Sequence, residues 1–77
     1  MTPSDQLALA IYEATIDADR PFVPIAEIEN RLRAEGIDCG AAAANLIQRG
    51  FLDGSFGGAY ALSPAGISHV EQFLTLG

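Results

Sequence analysis

The chain has 77 residues, which is enough for one domain with one small hydrophobic core. Apolar residues make up 49% of it and charged residues 18%, a balance typical of folded globular proteins and not of disordered ones. Ten acidic residues face four arginines, so the formal net charge is −6 and there is no cationic surplus of the kind that holds nucleic-acid phosphates.

Membrane and metal-binding classes are also disfavoured by composition. No apolar run approaches the roughly 18 residues that a membrane span needs, and residues 1–5 carry no basic side chain of the kind that opens a signal peptide. We therefore expect a cytoplasmic protein. Cys39 and His69 are the only cysteine and the only histidine, so we expect no internal disulfide, no metal site and no cofactor.

The first half of the chain predicts two helices joined through a short extended segment. Thr2 as the N-cap and Pro3 at the first helical position predict a helix over about residues 3–17. Its apolar residues recur at helical spacing: Leu7, Ala10, Ile11, Ala14 and Ala18. An extended segment at Phe22 and Val23 should follow.

The second helix is predicted to begin at Pro24 and to be stopped by Gly36. Its apolar face consists of Ile25, Ile28 and Leu32. Two acidic residues each precede an arginine by four positions, the favourable spacing for helical ion pairs: Glu27 with Arg31, and Glu29 with Arg33. We therefore expect these arginines to be paired on a solvated, acidic helix.

The third helix is short and rich in alanine. Asp38 is its predicted N-cap and Gly50 its terminator. One face should point to the core, through Cys39, Ala43, Leu46 and Gly50. Helical geometry then turns the other face outward, with Ala41, Ala44, Asn45 and Gln48.

The second half of the chain predicts a β-hairpin and a closing helix. Strands at residues 51–53 and 59–62 are joined by a glycine-rich turn at 54–58, and Ser63 with Pro64 begins the last helix. That helix has Ile67, Val70, Phe73 and Leu74 along one side. Together with Leu7 and Ile11, this is more apolar surface than a small core needs, so we expect a homodimer formed through the first and last helices.

The order of helix, short strand, helix, helix, hairpin and helix resembles that of a winged helix-turn-helix. Residues 45–52 are similar to the end of a recognition helix and its entry into the wing, and residues 60–66 to the return strand and closing helix of bacterial regulators of the MarR and PadR type. The resemblance covers nearly the whole chain. It implies a mainly α fold with a small β-hairpin: one winged-helix domain over residues 1–77, with a three-helix core, a β wing and a C-terminal helix.

The resemblance also implies DNA binding, with the outward face of the third helix in the major groove. Asn45 and Gln48 carry the amide groups that read base edges, and Arg49 is a cation for phosphate. They stand toward the end of the helix, however, whereas helix-turn-helix proteins read bases chiefly with its N-terminal part. That part begins with the acidic Asp38, and the predicted wing tip has no cation. We therefore expect nucleic acid not to be the partner of this helix.

The function we predict is a non-enzymatic interaction or regulatory module that binds another protein or a second copy of itself. Its interaction residues are Ala41, Ala44, Asn45, Gln48 and Phe56. The alternative is a small dimeric DNA-binding transcriptional regulator that uses Asn45, Gln48 and Arg49. A third hypothesis makes Cys39 a nucleophile whose pKa is lowered by the helix N-terminus. We expect instead a small core residue at Cys39 and an exposed polar one at His69.

Overall fold

The computed structural model describes residues 2–18, 23–53 and 59–74. The helices are α1 (Pro3–Ala18), α2 (Ile25–Arg33), α3 (Cys39–Gln48) and α4 (Pro64–His69), and α4 continues into a π-helical turn at Val70–Leu74. The strands are β1 (Val23–Pro24), β2 (Leu52–Asp53) and β3 (Ala59–Leu62). The prediction of a mainly helical chain with a small β-hairpin is confirmed.

A small antiparallel sheet joins distant parts of the chain, in the strand order β1-β3-β2. β2 pairs with β3 in the predicted hairpin, with Leu52 opposite Leu62. The other edge of β3 pairs with β1, where Val23 lies opposite Tyr60. The sequence predicts an extended segment here but not this pairing, and Phe22 and the hairpin turn lie outside the described residues.

Three helices begin where a side chain caps them, as predicted. The side chains of Thr2, Asp38 and Ser63 each accept a hydrogen bond from the backbone N–H three residues later, at 3.1, 3.2 and 3.1 Å respectively. The start of α2 differs, because Pro24 belongs to β1 and makes no side-chain cap. Pro24 nevertheless stands at the start of the helix, as predicted, since it is the N-cap residue before Ile25.

Glycines turn the chain after α2 and α3, as predicted. Gly36 and Gly50 both have φ of +79°, a left-handed conformation that other residues rarely adopt. After Gly50, the backbone N–H of Phe51 donates to the carbonyl of Leu46 at 2.9 Å, which satisfies a carbonyl at the helix end. Gly50 itself is exposed, so its predicted place in the core is wrong: α3 ends at Gln48 and Gly50 lies beyond the helical face.

The core lies where α1 crosses α3 and the π-helical turn. Its largest fully buried side chains are Leu7, Ile11, Leu46 and Val70. The predicted inner faces of α1 and α2 are confirmed at five buried positions: Leu7, Ala10, Ile11, Ile28 and Leu32. Ala14, also predicted for this face of α1, is only partly buried against the same core. None of the helices in the described part of the chain combines the length and the apolar character that a membrane span requires.

The predicted dimer surface needs correction, because half of it belongs to the chain's own core. Leu7, Ile11 and Val70 are each 0% exposed and cannot contact a second copy. Of the remaining positions, Ile67 is 39% and Phe73 70% exposed. Phe73 leaves the expected stripe because a π-helical turn rotates less per residue than an α-helix, which shifts the positions after Val70.

The first turn of α4 is fixed against the chain that leaves α3. The backbone carbonyl of Phe51 accepts a hydrogen bond from the N–H of Ser63 at 3.1 Å, and the hydroxyl of Ser63 donates to the carbonyl of Gly50. Gly66 then lies so close that a Cβ atom built on it would stand 1.9 Å from the Phe51 oxygen. Only a residue without a side chain permits this approach.

We predict that Gly66→Ala lowers the free energy of unfolding by about 3 kcal/mol, because the added methyl group must push α4 away from a hydrogen-bonded backbone. Urea unfolding followed by circular dichroism measures the change. Gly40→Ala is the matched control, since its Cβ would meet only Asp38 Oδ1 at 3.4 Å and should change stability by less than about 1 kcal/mol. Equal stability of the two variants would contradict the proposed steric constraint.

Candidate functional site

The outward face of α3 is exposed because the opposite face is anchored in the core. Cys39, Ala42, Ala43 and Leu46 are buried. The predicted interaction residues of this helix are all exposed: Ala41, Ala44, Asn45 and Gln48. The structure adds Ile47, which is 46% exposed and which the sequence analysis missed. The face therefore consists of small, amide and aliphatic side chains without a charged group.

Charged groups stand only at the two ends of this face. At the N-terminal end, the carboxylate of Asp38 caps the helix through the N–H of Ala41. At the C-terminal end, the guanidinium of Arg49 lies 5.2 Å from the ring centre of Phe51, within range of a cation–π contact. Arg49 is thus held beside the helix end. Phe56, the remaining predicted interaction residue, lies outside the described residues.

The pairing predicted for the α2 arginines is confirmed at one of two positions. Arg33 Nη2 lies 3.5 Å from Glu29 Oε1. Within the described part of the chain, no such ion pair joins Arg31 to Glu27. Arg33 and Glu29 are both well exposed, so this contact adds little to stability.

His69 is not the exposed polar residue that the sequence predicts. Its side chain is 19% exposed, with Nε2 at 3.4 Å from Asp5 Oδ1. The imidazole stacks on Phe51, with ring centres 4.6 Å apart and planes at 16°, and meets Phe73 at a tilt of 42°. Through these contacts His69 links the carboxylate of Asp5, at the start of α1, to the rings of Phe51 and Phe73. This placement gives His69 a structural role between α1 and α4.

Opposing effects act on the pKa of the Asp5 carboxyl group. Burial tends to raise the pKa of Asp5, but hydrogen bonds from His69 and from the side chain and backbone of Thr2 favour the carboxylate. The net effect lowers the pKa of Asp5 below its ordinary value of 3.8. The folded chain therefore binds fewer protons at Asp5 than the unfolded chain does.

We predict that Asp5→Asn lowers stability near neutral pH by less than about 1 kcal/mol. The contribution of the carboxylate is present above its unfolded pKa of 3.8 and is lost as the pH falls through the lower folded value. Urea unfolding at pH 7, and again below the folded pKa, should show a difference that disappears in acid. Asp17→Asn, at an exposed position of the same helix, controls for loss of a charge. A difference that persists in acid would contradict this account.

Cys39 has the surroundings of a core residue, as expected. It is 4% exposed, and burial, together with the nearby Glu29 and Asp38 carboxylates, raises the pKa of its thiol. The hypothesis of a thiol whose pKa is lowered by the helix N-terminus is therefore wrong. In the described part of the chain, no group of three or more His, Cys, Asp or Glu is placed to hold a metal ion.

A groove of about 550 Å³ opens on another side of the molecule, between α1, the hairpin strands and α4. Its apolar lining includes Ile16, Leu62 and Ile67, and its acidic groups are Asp53 and Glu71. The sequence analysis missed this groove. Its signal in the sequence is a pair of helical spacings, Tyr12 to Ile16 on α1 and Ile67 to Glu71 from α4 into the π-helical turn.

A long-range hydrogen bond closes one side of the groove. The hydroxyl of Tyr12 donates to Glu71 Oε2 at 2.9 Å, across 59 positions of the chain. This hydrogen bond, together with partial desolvation and the charge of Glu71, raises the pKa of the Tyr12 hydroxyl. The bond holds the carboxylate at a defined position beside the apolar lining.

In comparisons with family models, with curated proteins and with solved structures, nothing matches this chain.

Proposed function

We propose that this chain is a non-enzymatic protein-interaction module built on a winged helix-turn-helix, and that the outward face of α3 binds its partner. The main support for this proposal is that the face is exposed yet has no charged side chain from Ala41 to Gln48. The partner is another protein or a second copy of this chain. The proposal treats the face as a contact surface for a flat, largely apolar region.

The order of elements supports the winged-helix part of the proposal. An edge strand, β1, stands between the first two helices, and α3 turns through Gly50 directly into the hairpin of β2 and β3. α4 then returns across the body of the domain to pack on α1 through the π-helical turn. In such a fold α3 corresponds to the recognition helix.

The side chains of α3 favour protein over DNA as the partner. Ala41 and Ala44 let another surface approach closely, and little side-chain entropy is lost when they are covered. Ile47, 46% exposed, adds aliphatic area beside them. DNA would instead require phosphate contacts, and residues 38–48 supply an aspartate and no cation. The net charge of −6 adds a general repulsion.

We predict that Ala41→Glu and Ala44→Arg abolish binding to the partner recovered from the protein's own host, because each places a long charged side chain on the contact surface. The readout is the partner's Kd for each folded variant. Ala65→Glu and Ala34→Arg are matched controls, since they introduce the same side chains at exposed positions outside α3. If both α3 variants bind with unchanged affinity, the proposed interface is wrong.

A second copy as the partner is tested separately. Sedimentation equilibrium at high micromolar concentration distinguishes a dimer from the 8.1 kDa monomer, and Ala44→Arg should dissociate a dimer that forms through α3.

We also predict no sub-micromolar binding to duplex DNA at physiological salt. Fluorescence anisotropy with a labelled duplex measures it, in a salt series because phosphate contacts strengthen steeply as salt falls. Sub-micromolar binding that is lost on substituting Asn45, Gln48 or Arg49 by alanine would overturn the proposal in favour of a DNA-binding regulator.

A further inference from the structure

The groove between α1, the hairpin strands and α4 has the dimensions of a small-molecule site. Its volume of about 550 Å³ lies inside the range of roughly 300–1,000 Å³ that such sites occupy. Ile16 is 59% and Ile67 39% exposed at its walls, so each has apolar surface left to cover. A ligand seated there would remove this surface from water, which is favourable in proportion to the area covered.

Among the described residues that line the groove, the ionisable side chains that carry charge are acidic. Asp53 and Glu71 are its ionisable acids, and the described residues that line it include no lysine, arginine or histidine. Tyr12 holds the Glu71 carboxylate in place by donating a hydrogen bond at 2.9 Å. An apolar lining with fixed negative charge at its edge complements a ligand that is apolar in body and positively charged at one end.

We propose that this groove binds a small, mostly apolar organic cation, a protonated amine or a quaternary ammonium ion. Charge selects against a second copy of the chain as the occupant, because two copies that each carry −6 would meet across a surface that is itself acidic. An anionic amphiphile meets the same repulsion. The site goes beyond the proposed function and does not depend on it, since no α3 residue is among the lining residues.

The first test compares head groups on one apolar tail, with the whole chain. Decyltrimethylammonium, decyl sulfate and decyl maltoside are titrated below their micelle concentrations while the methyl signals of Ile16 and Ile67 are followed by NMR. We expect the cation to shift both signals and to bind about tenfold more tightly than the neutral probe, with the anion weakest. Equal affinities, or shifts confined to other methyl groups, would overturn the proposal.

The second test removes the charges from the protein. Asp53→Asn and Glu71→Gln should each weaken binding of the cationic probe about threefold, and the double variant about tenfold, while the neutral probe is unaffected. A glutamine at position 71 can still accept the Tyr12 hydrogen bond, so the wall of the groove is kept. Glu27→Gln, at an exposed position of α2, is the matched control and should change nothing.

Two further measurements use the wild-type chain, so they test the proposal even if the Asp53→Asn, Glu71→Gln double variant does not fold. The affinity for the cationic probe should fall as salt is raised, and the affinity for the neutral probe should not fall with it. Ile16 and Ile67 signals that shift with protein concentration alone would assign the groove to a second copy and overturn the proposal.

Discussion

The carbonyl group of Phe51 joins the two halves of the fold, since it accepts a hydrogen bond from Ser63 and lies directly against Gly66. The hydroxyl of Ser63 completes the junction by donating to Gly50 while it caps α4. The end of α3 and the start of α4 are therefore locked together by backbone contacts. Such contacts tolerate little adjustment, because close-packed interiors resist even small added volumes.

The position of α4 determines which residues of the last helix and the π-helical turn contact α1 and the core. With its first turn fixed, Val70 enters the core, His69 reaches Asp5 on α1, and Glu71 meets Tyr12. The groove lies between α1, the hairpin strands and α4, and the hydrogen bond from Tyr12 to Glu71 joins two of its sides. The side chain of Phe51 also connects the two helices, since its ring contacts His69 of α4 and the guanidinium of Arg49 at the end of α3.

The two candidate surfaces differ in chemistry, and so they serve different partners in the proposals made above. The α3 face is uncharged and consists of small, amide and aliphatic side chains, and the proposal assigns it to a broad contact with another protein. The groove is concave, apolar and acidic at its edge, which suits a compact cation. Both surfaces are consistent with the net charge of −6. The arginines in the described part of the chain lie elsewhere, on α2 and at the C-terminal end of α3.

The local elements of this protein were determined by its sequence, because the groups responsible are close neighbours in the chain. Capping by Thr2, Asp38 and Ser63 acts over three residues, and glycine turns act within the last turn of a helix. The exposed side of α3 also follows from helical periodicity. Its use as an interface remains a prediction.

The tertiary structure alone decided the features that depend on contacts between distant residues. The pairing of Val23 with Tyr60 and the contact of His69 with Asp5 across 64 positions have no periodic signal in the sequence. Helical spacing places Tyr12 and Glu71 each on one side of a helix, but it does not show that the two meet across a groove. The same holds for the π-helical turn that exposes Phe73. Helical and strand periods report which side of one element is apolar, but not which element will cover it, because that choice is made by packing the whole chain at once.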